Sequence, residues 1–190
     1  MKWSLEMDSC SIRDCTMADK ASEFSGPIVS SAHLAAGAMP ALSEFEFGAI
    51  MVSHAFERWM VRCMAAVGVP DMSPVDVLVL HTVYHRGKAK RMADICLVLN
   101  IEDTHVVSYA VKKLARLKLV TSRKQGKEKF ISTTEAGAQA CRRYHEIREA
   151  LLVRSVATMG VDQAALSRIA AQMRVLSGHY DHAARAAASL

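Results

Sequence analysis

The stretch from Ser73 to Thr134 is punctuated so closely that only short elements fit between the marks, and their order narrows the fold more than any other feature. Ser73 can cap a helix, Pro74 suits its first position, and Asp76 sits in the electropositive first turn. Val75, Leu78, Val79, Leu80, Val83 and Tyr84 make this helix apolar on most sides, which predicts a central, buried rod closed at Gly87. A second short helix, Ala93–Leu99, ends at Asn100, a residue that tolerates the left-handed C-terminal conformation. Asp103 can cap the next helix, whose residues Val107, Ala110, Val111 and Leu114 point inward. Leu119–Arg123 and Lys129–Thr133 then read as two strands about a Lys124-Gln125-Gly126-Lys127 turn, with Gly126 supplying positive φ. Two short helices joined by a turn, followed at once by a hairpin, predict a mainly α fold with a small β-hairpin wing: a winged helix-turn-helix.

The same stretch is strongly cationic. Between Arg86 and Lys129 lie twelve of the chain's 24 Lys and Arg but only four of its 19 Asp and Glu, a local net charge of +8 within an overall +5. The rest of the chain is mildly acidic, so the charge is a patch, as expected of a nucleic-acid reader. A solvated basic face is the plainer reading; the order of elements favours the first. Opposite the apolar stripe of the 103–117 helix lie His105, Ser108, Tyr109 and Lys112, with Thr104 near its start. Lys can donate to guanine O6 and N7, Ser can pair with several bases, and Tyr can touch thymine methyls or phosphate. Arg123, Lys124 and Lys127 of the wing are candidates for phosphate or a minor groove, and Lys88, Arg91, Lys113 and Arg116 for phosphate.

Outside this head the chain is helical. Residues 1–40 are rich in Ser, Ala, Gly and Met and read as a flexible or extended arm, with an extended piece near Pro27–Leu34. Ser43 and Glu46 form a capping box that predicts a helix start, followed by Ile50, Met51, Ala55, Trp59, Cys63 and Ala66 on one stripe and by Gly68 and Pro70 as a stop. After the wing, Thr133 or Thr134 caps a long helix to about Thr158, with Ala140, Tyr144, Ile147 and Leu151 as its apolar positions. Gly160 breaks it, and Asp162 caps a last helix striped by Leu166, Ile169, Met173 and Leu176. With 190 residues, one domain, alone or with a tail, can bury a core without staples. No apolar run approaches the roughly 20 residues of a membrane span, and Met1–Asp19 carries acids and no apolar h-region, so neither membrane nor secretory signal is expected. Five scattered cysteines without a C-x-x-C pair predict reduced thiols in a cytoplasm.

From Ser43 onward the chain resembles the multiple-antibiotic-resistance-regulator (MarR) family of winged-helix transcription factors. The resemblance is carried by the order of elements, Leu99-Asn100-Ile101, Lys112-Lys113-Leu114 with Leu119-Val120, and Thr134-Glu135-Ala136-Gly137 after the wing. It implies a homodimer held by N- and C-terminal helices (41–68 and 134–188), a DNA-binding head at 71–133 within a 41–190 domain, and recognition helices in successive major grooves with wings on the flanks. It also implies a small-molecule effector site between dimer helices and head, for which His54, Trp59, Met60, Met64 and Tyr84 are candidates; core packing is the plainer use of such side chains. The chain departs from the pattern where Lys118 replaces a common glycine, so a different helix ending is expected there, and where the wing carries Lys and Gln in place of an Asp-x-Arg run.

Other chemistries find little footing. His81 and His85 stand four apart on one helix, and His179 and His182 lie near the C-terminus, but no H-e-x-x-h pattern joins them, and no metal or other cofactor is expected. Arg62 beside Cys63 is a faint hint of a reactive thiol, set against Cys10, Cys15, Cys96 and Cys141 as ordinary thiols. A Gly-rich phosphate loop and a nucleophile elbow are both missing, and Glu102-Asp103 is explained by capping, so no catalytic residue is expected. The sequence therefore points to a dimeric regulator reading a pseudo-palindrome in double-stranded DNA with the 103–117 helix and the 119–133 wing. The alternative is a winged-helix module that docks a protein.

Overall fold

A computed structural model describes residues 26–190. Most of the expected arm, with Cys10 and Cys15, lies outside the described residues. The chain divides into two units, at His54 and Ala55. In the first, Ala32–Ala35 form a 3-10 turn where an extended piece is expected around Pro27–Leu34. Helix α1 (Pro40–Val67) starts three residues before the predicted cap, with proline at its first position. Ser43 is therefore inside the first turn, and its hydroxyl donates to the Leu34 carbonyl at 2.6 Å.

The second unit holds the core. Helix α2 (Pro74–Tyr84) begins on a complete capping box: Asp76 N–H donates to Ser73 Oγ at 3.2 Å, and Ser73 N–H donates to Asp76 Oδ2 at 2.7 Å. As its all-round apolar surface requires, α2 packs against α3 (Met92–Leu99), α4 (Thr104–Arg116), α5 (Glu135–Ile147) and β3 (Glu128–Thr133). Val77, Val79, Leu80 and Val83 are buried there with Ile95, Val107, Val111, Leu114 and Ile131. Each such side chain contributes about 1.5–3 kcal/mol on burial. Helix α1 enters this core through Met60, Cys63, Met64 and Val67. Of the expected stripe Cys63 is buried, while Ile50, Met51, Ala55 and Ala66 are exposed and Trp59 is half-buried.

The wing strands are β2 (Val120–Gln125) and β3, paired antiparallel with Gln125 opposite Glu128. The turn is thus two residues, Gly126 and Lys127, rather than four, with positive φ at Gly126 (62°), which L side chains disfavour. A two-residue strand, β1 (Lys90–Arg91), pairs with the other edge of β3 and makes the sheet three-stranded in the order β1-β3-β2. Two residues are too few to show a period in a sequence.

Helix ends explain how the head is closed. Helices α1, α3 and α4 all terminate with paired backbone bonds of the Schellman type, around left-handed Gly68, Asn100 and Lys118. At α4, Leu119 N–H reaches the Leu114 carbonyl at 2.9 Å and Lys118 N–H reaches the Ala115 carbonyl at 3.0 Å. The expectation of a different ending at Lys118 is therefore corrected: lysine adopts the left-handed pose itself, at φ 60°, for about 1 kcal/mol. Thr134 holds that turn, its hydroxyl donating to the Lys118 carbonyl at 2.7 Å and its N–H to the Leu119 carbonyl at 3.0 Å. The same hydroxyl accepts from Gly137 N–H at 3.1 Å and caps α5.

Beyond α5 the predicted long helix is interrupted by a π-helical turn, Arg148–Val153, before α6 (Arg154–Thr158). Asp162 caps α7 (Gln163–Ala187), accepting from the N–H groups of Ala164 and Ala165. No residue of the π turn, α6 or α7 is buried, so the expected stripe of α7 faces solvent in the single chain.

Candidate nucleic-acid interface

Helix α4 presents two unlike faces. Asp103 caps it by accepting from His105 N–H at 2.8 Å. Val107, Ala110, Val111 and Leu114 are buried beneath, while Thr104, His105, Tyr109, Lys112 and Arg116 are exposed and Ser108 is half-buried. Tyr109 leaves 71% of its surface in solvent. The Lys112 ammonium stands 5.4 Å from the centre of the Tyr109 ring, within cation–π range.

The structure sorts the cations that the sequence lumps together. Lys113 turns away from the outer face: its Nζ lies 2.7 Å from Asp76 Oδ2 and donates to the Asp71 carbonyl, pinning α4 to the start of α2. Asp76 is buried, so this pair is a joint inside the head, and removing one partner strands the other at a cost of several kcal/mol. Arg91 grips Asp94 through Nε and Nη2 at 2.9 and 2.8 Å and reaches Glu128 at 3.2 Å, joining the start of α3 to the wing. Its guanidinium, by hydrogen bonding first, holds the Asp94 carboxyl below its ordinary range. Lys112, Arg116, Arg123, Lys124, Lys127 and Lys88 have no carboxylate within ion-pair distance among the described residues.

In the wing, Lys124 stands directly opposite Lys129 across the ladder. Like charges so placed repel, and an anion above them relieves that repulsion. Lys129 is not among the sequence candidates, because its place in a strand gives it no face there; only the register sets it beside Lys124.

A cavity of about 710 Å³ lies beside α2 and α5, lined by Met60, Leu78, His81, Tyr84, Tyr144 and Arg142 among others. Of the five effector candidates, Met60 and Tyr84 line it. Met64 is fully buried in the core, Trp59 is half-buried away from the lining, and His54 is an exposed residue of the first unit. The structure adds His81, whose ring meets Tyr144 edge-on at 4.6 Å. Burial pushes the His81 pKa down, and its Nε2 has no hydrogen-bond partner among the described residues. The sequence offered one signal for it, a histidine between the core residues Leu80 and Val83. No cluster of three or more His, Cys, Asp or Glu that could hold a metal occurs among the described residues. Cys63, Cys96 and Cys141 are buried; burial raises the Cys63 thiol and pushes Cys141 up to about 12, which keeps both protonated at neutral pH. No described helix is long and apolar enough to cross a membrane.

Comparison with known proteins agrees with this geometry. Residues 72–137 match the family described as winged helix DNA-binding domain. Among solved structures, the chain is similar to AbfR of Staphylococcus epidermidis (17% identity, TM-score 0.61, covering 76% of this chain and 94% of that one). AbfR is also known in reduced form bound to DNA. A MarR-family transcriptional regulator from Rhodococcus sp. RHA1 aligns at 13% identity and TM-score 0.58, covering 70% and 91% of the two chains. CouR from Rhodococcus jostii RHA1, solved with p-coumaroyl-CoA, aligns at 13% identity and TM-score 0.59, covering 70% and 90%. No curated protein matches the chain by sequence.

Proposed function

We propose that this chain, whose fold is that of the MarR-type winged-helix regulators, is a cytoplasmic DNA-binding transcriptional regulator acting as a homodimer. One observation carries the reading: on α4 the polar outer face is exposed and unpaired, while the neighbouring cations Lys113 and Arg91 are held by carboxylates of the chain itself. The free set, Arg116, Lys88 and the wing's Arg123, Lys124 and Lys127, is left for phosphates, and Lys112 with Thr104, His105, Ser108 and Tyr109 for base edges. The DNA-bound AbfR structure supports the same use of the fold.

Dimerisation is supported by α7, which leaves Leu166, Ile169 and Met173 between 41% and 49% exposed on one stripe. A second copy covers such a stripe and places two heads on half-sites about 34–36 Å apart. An effector response is supported by the cavity at His81, whose volume is of the size used for small molecules.

Selection of bound fragments from genomic DNA tests the reading. Enrichment of a two-fold related sequence is expected, with binding that weakens in salt at a slope of about −5 if six phosphates are neutralised. Lys112→Ala and Lys124→Ala weaken it. A flat salt response without enriched sequences refutes DNA recognition and leaves the protein-docking alternative.

A further inference from the structure

The first three turns of α4, Thr104 to Ala115, contain no Arg, Asn or Gln. Arg pairs with guanine and Asn or Gln with adenine through two hydrogen bonds in the major groove; with Lys113 held by Asp76, Lys112 is the one exposed side chain there that can reach guanine O6 and N7. Besides Lys112, the groups left there are the exposed Thr104 and His105, the half-buried Ser108 and one exposed aromatic ring. That ring, Tyr109, is the most exposed large apolar group of the helix. It sits one turn from the helix start, where recognition helices meet base edges, and shares a face with His105 four residues before it. The Lys112 ammonium over the ring restrains its swing. In the major groove, the thymine C5 methyl is the one apolar group on a base edge.

Building on the DNA-binding reading, we propose that the Tyr109 ring is a thymine reader: it packs on the C5 methyl of a thymine in each half-site, with Lys112 setting its orientation. Specificity then comes from an apolar contact rather than from a bidentate hydrogen bond. The Tyr109 hydroxyl is not needed for it.

The test replaces each thymine of the selected site, one position per half-site at a time, with deoxyuridine, which removes the methyl and keeps the base pair. One position is expected to weaken binding about fourfold per half-site, the worth of one buried methyl group. Tyr109→Ala abolishes that thymine-over-uracil ratio, and Tyr109→Phe preserves it. Lys112→Ala reduces it. A site in which no thymine shows the ratio overturns the proposal, as does a ratio that survives in Tyr109→Ala. Loss of the ratio in Tyr109→Phe also overturns it, because the hydroxyl then makes the contact. The absence of any selected site refutes the DNA-binding reading itself, a separate outcome.

Discussion

The head and the C-terminal limb of this protein are built on opposite terms. From α2 to Tyr144 the chain buries its own apolar side chains, with Leu80, Ile95, Leu114 and Ile131 fully withdrawn from water. From Arg148 onward nothing is buried, although the limb carries a clear apolar stripe. The change falls at the π turn, just after the last buried residue of α5. A head of this kind is stabilised by contacts within one chain. An amphipathic helix as long as α7 gains little from propensity alone, and its stripe must be covered from outside. The contrast separates the segment that folds on itself from the segment on which the proposed dimer depends, and it can be broken at either end.

The largest effect is expected from Ile169→Asp combined with Met173→Asp. Charges on the α7 stripe split the proposed dimer, and affinity for a two-half-site operator falls by about 100-fold or more as bivalency is lost. The head keeps its own thermal transition. Sedimentation and binding measurements check this; a doubly substituted protein that stays dimeric removes the distinction between the regions.

Within the head, Gly137→Ala should be the more damaging kind of change. A Cβ at Gly137 meets the Leu119 carbonyl oxygen at 2.1 Å and the Thr133 methyl at 2.8 Å, so α5 must move off the turn that ends α4. A loss of about 3 kcal/mol in urea unfolding is expected, with the dimer constant unchanged once folding is allowed for. Lys118→Gly works in the opposite direction at the same joint, because it relieves a left-handed lysine. It should stabilise the head by about 0.5–1 kcal/mol in the same assay.

The smallest effect concerns pH. His81 is half-buried, and the loss of solvent around its ring holds its folded-state pKa below its ordinary 6.5. The unfolded chain therefore takes up the proton first, so this contribution is present above about pH 6.5 and is lost as pH falls toward the folded value. The thermal midpoint of the head should decline below pH 6.5, and His81→Phe should remove that part of the decline. A midpoint equally sensitive in the variant assigns the effect to other groups.

Much of the head was legible because its signals are local. Ser73-Pro74 with Asp76, Asn100 and Asp103 all act on backbone groups within a few residues, and each does what its sequence neighbourhood implies, as does Asp162 in the limb. The inner and outer faces of α4 were legible for the same reason, through the period of 3.6. Failures arose where several registers were compatible with the letters. On α1, Met60 and Met64 are as apolar as Met51 and Ala55, and only the packing partner selects among them. The Ser43 capping box was a valid local pattern that Pro40 pre-empted upstream.

From its sequence alone this protein fixes the order of its helices, the caps of α2, α4 and α7, the wing and the polar outer side of α4, because each depends on residues close together along the chain. Only the tertiary structure decides that Lys90–Arg91 joins the sheet, that Lys113 and Arg91 are spent on Asp76 and on Asp94 with Glu128, and that Lys124 faces Lys129. The Lys113–Asp76 and Arg91–Glu128 pairs and the β1–β3 pairing join segments far apart in sequence, and Lys124 meets Lys129 only through the register of the hairpin. A cation is free to meet DNA only when no carboxylate from elsewhere in the fold reaches it first, and that distance is set by packing.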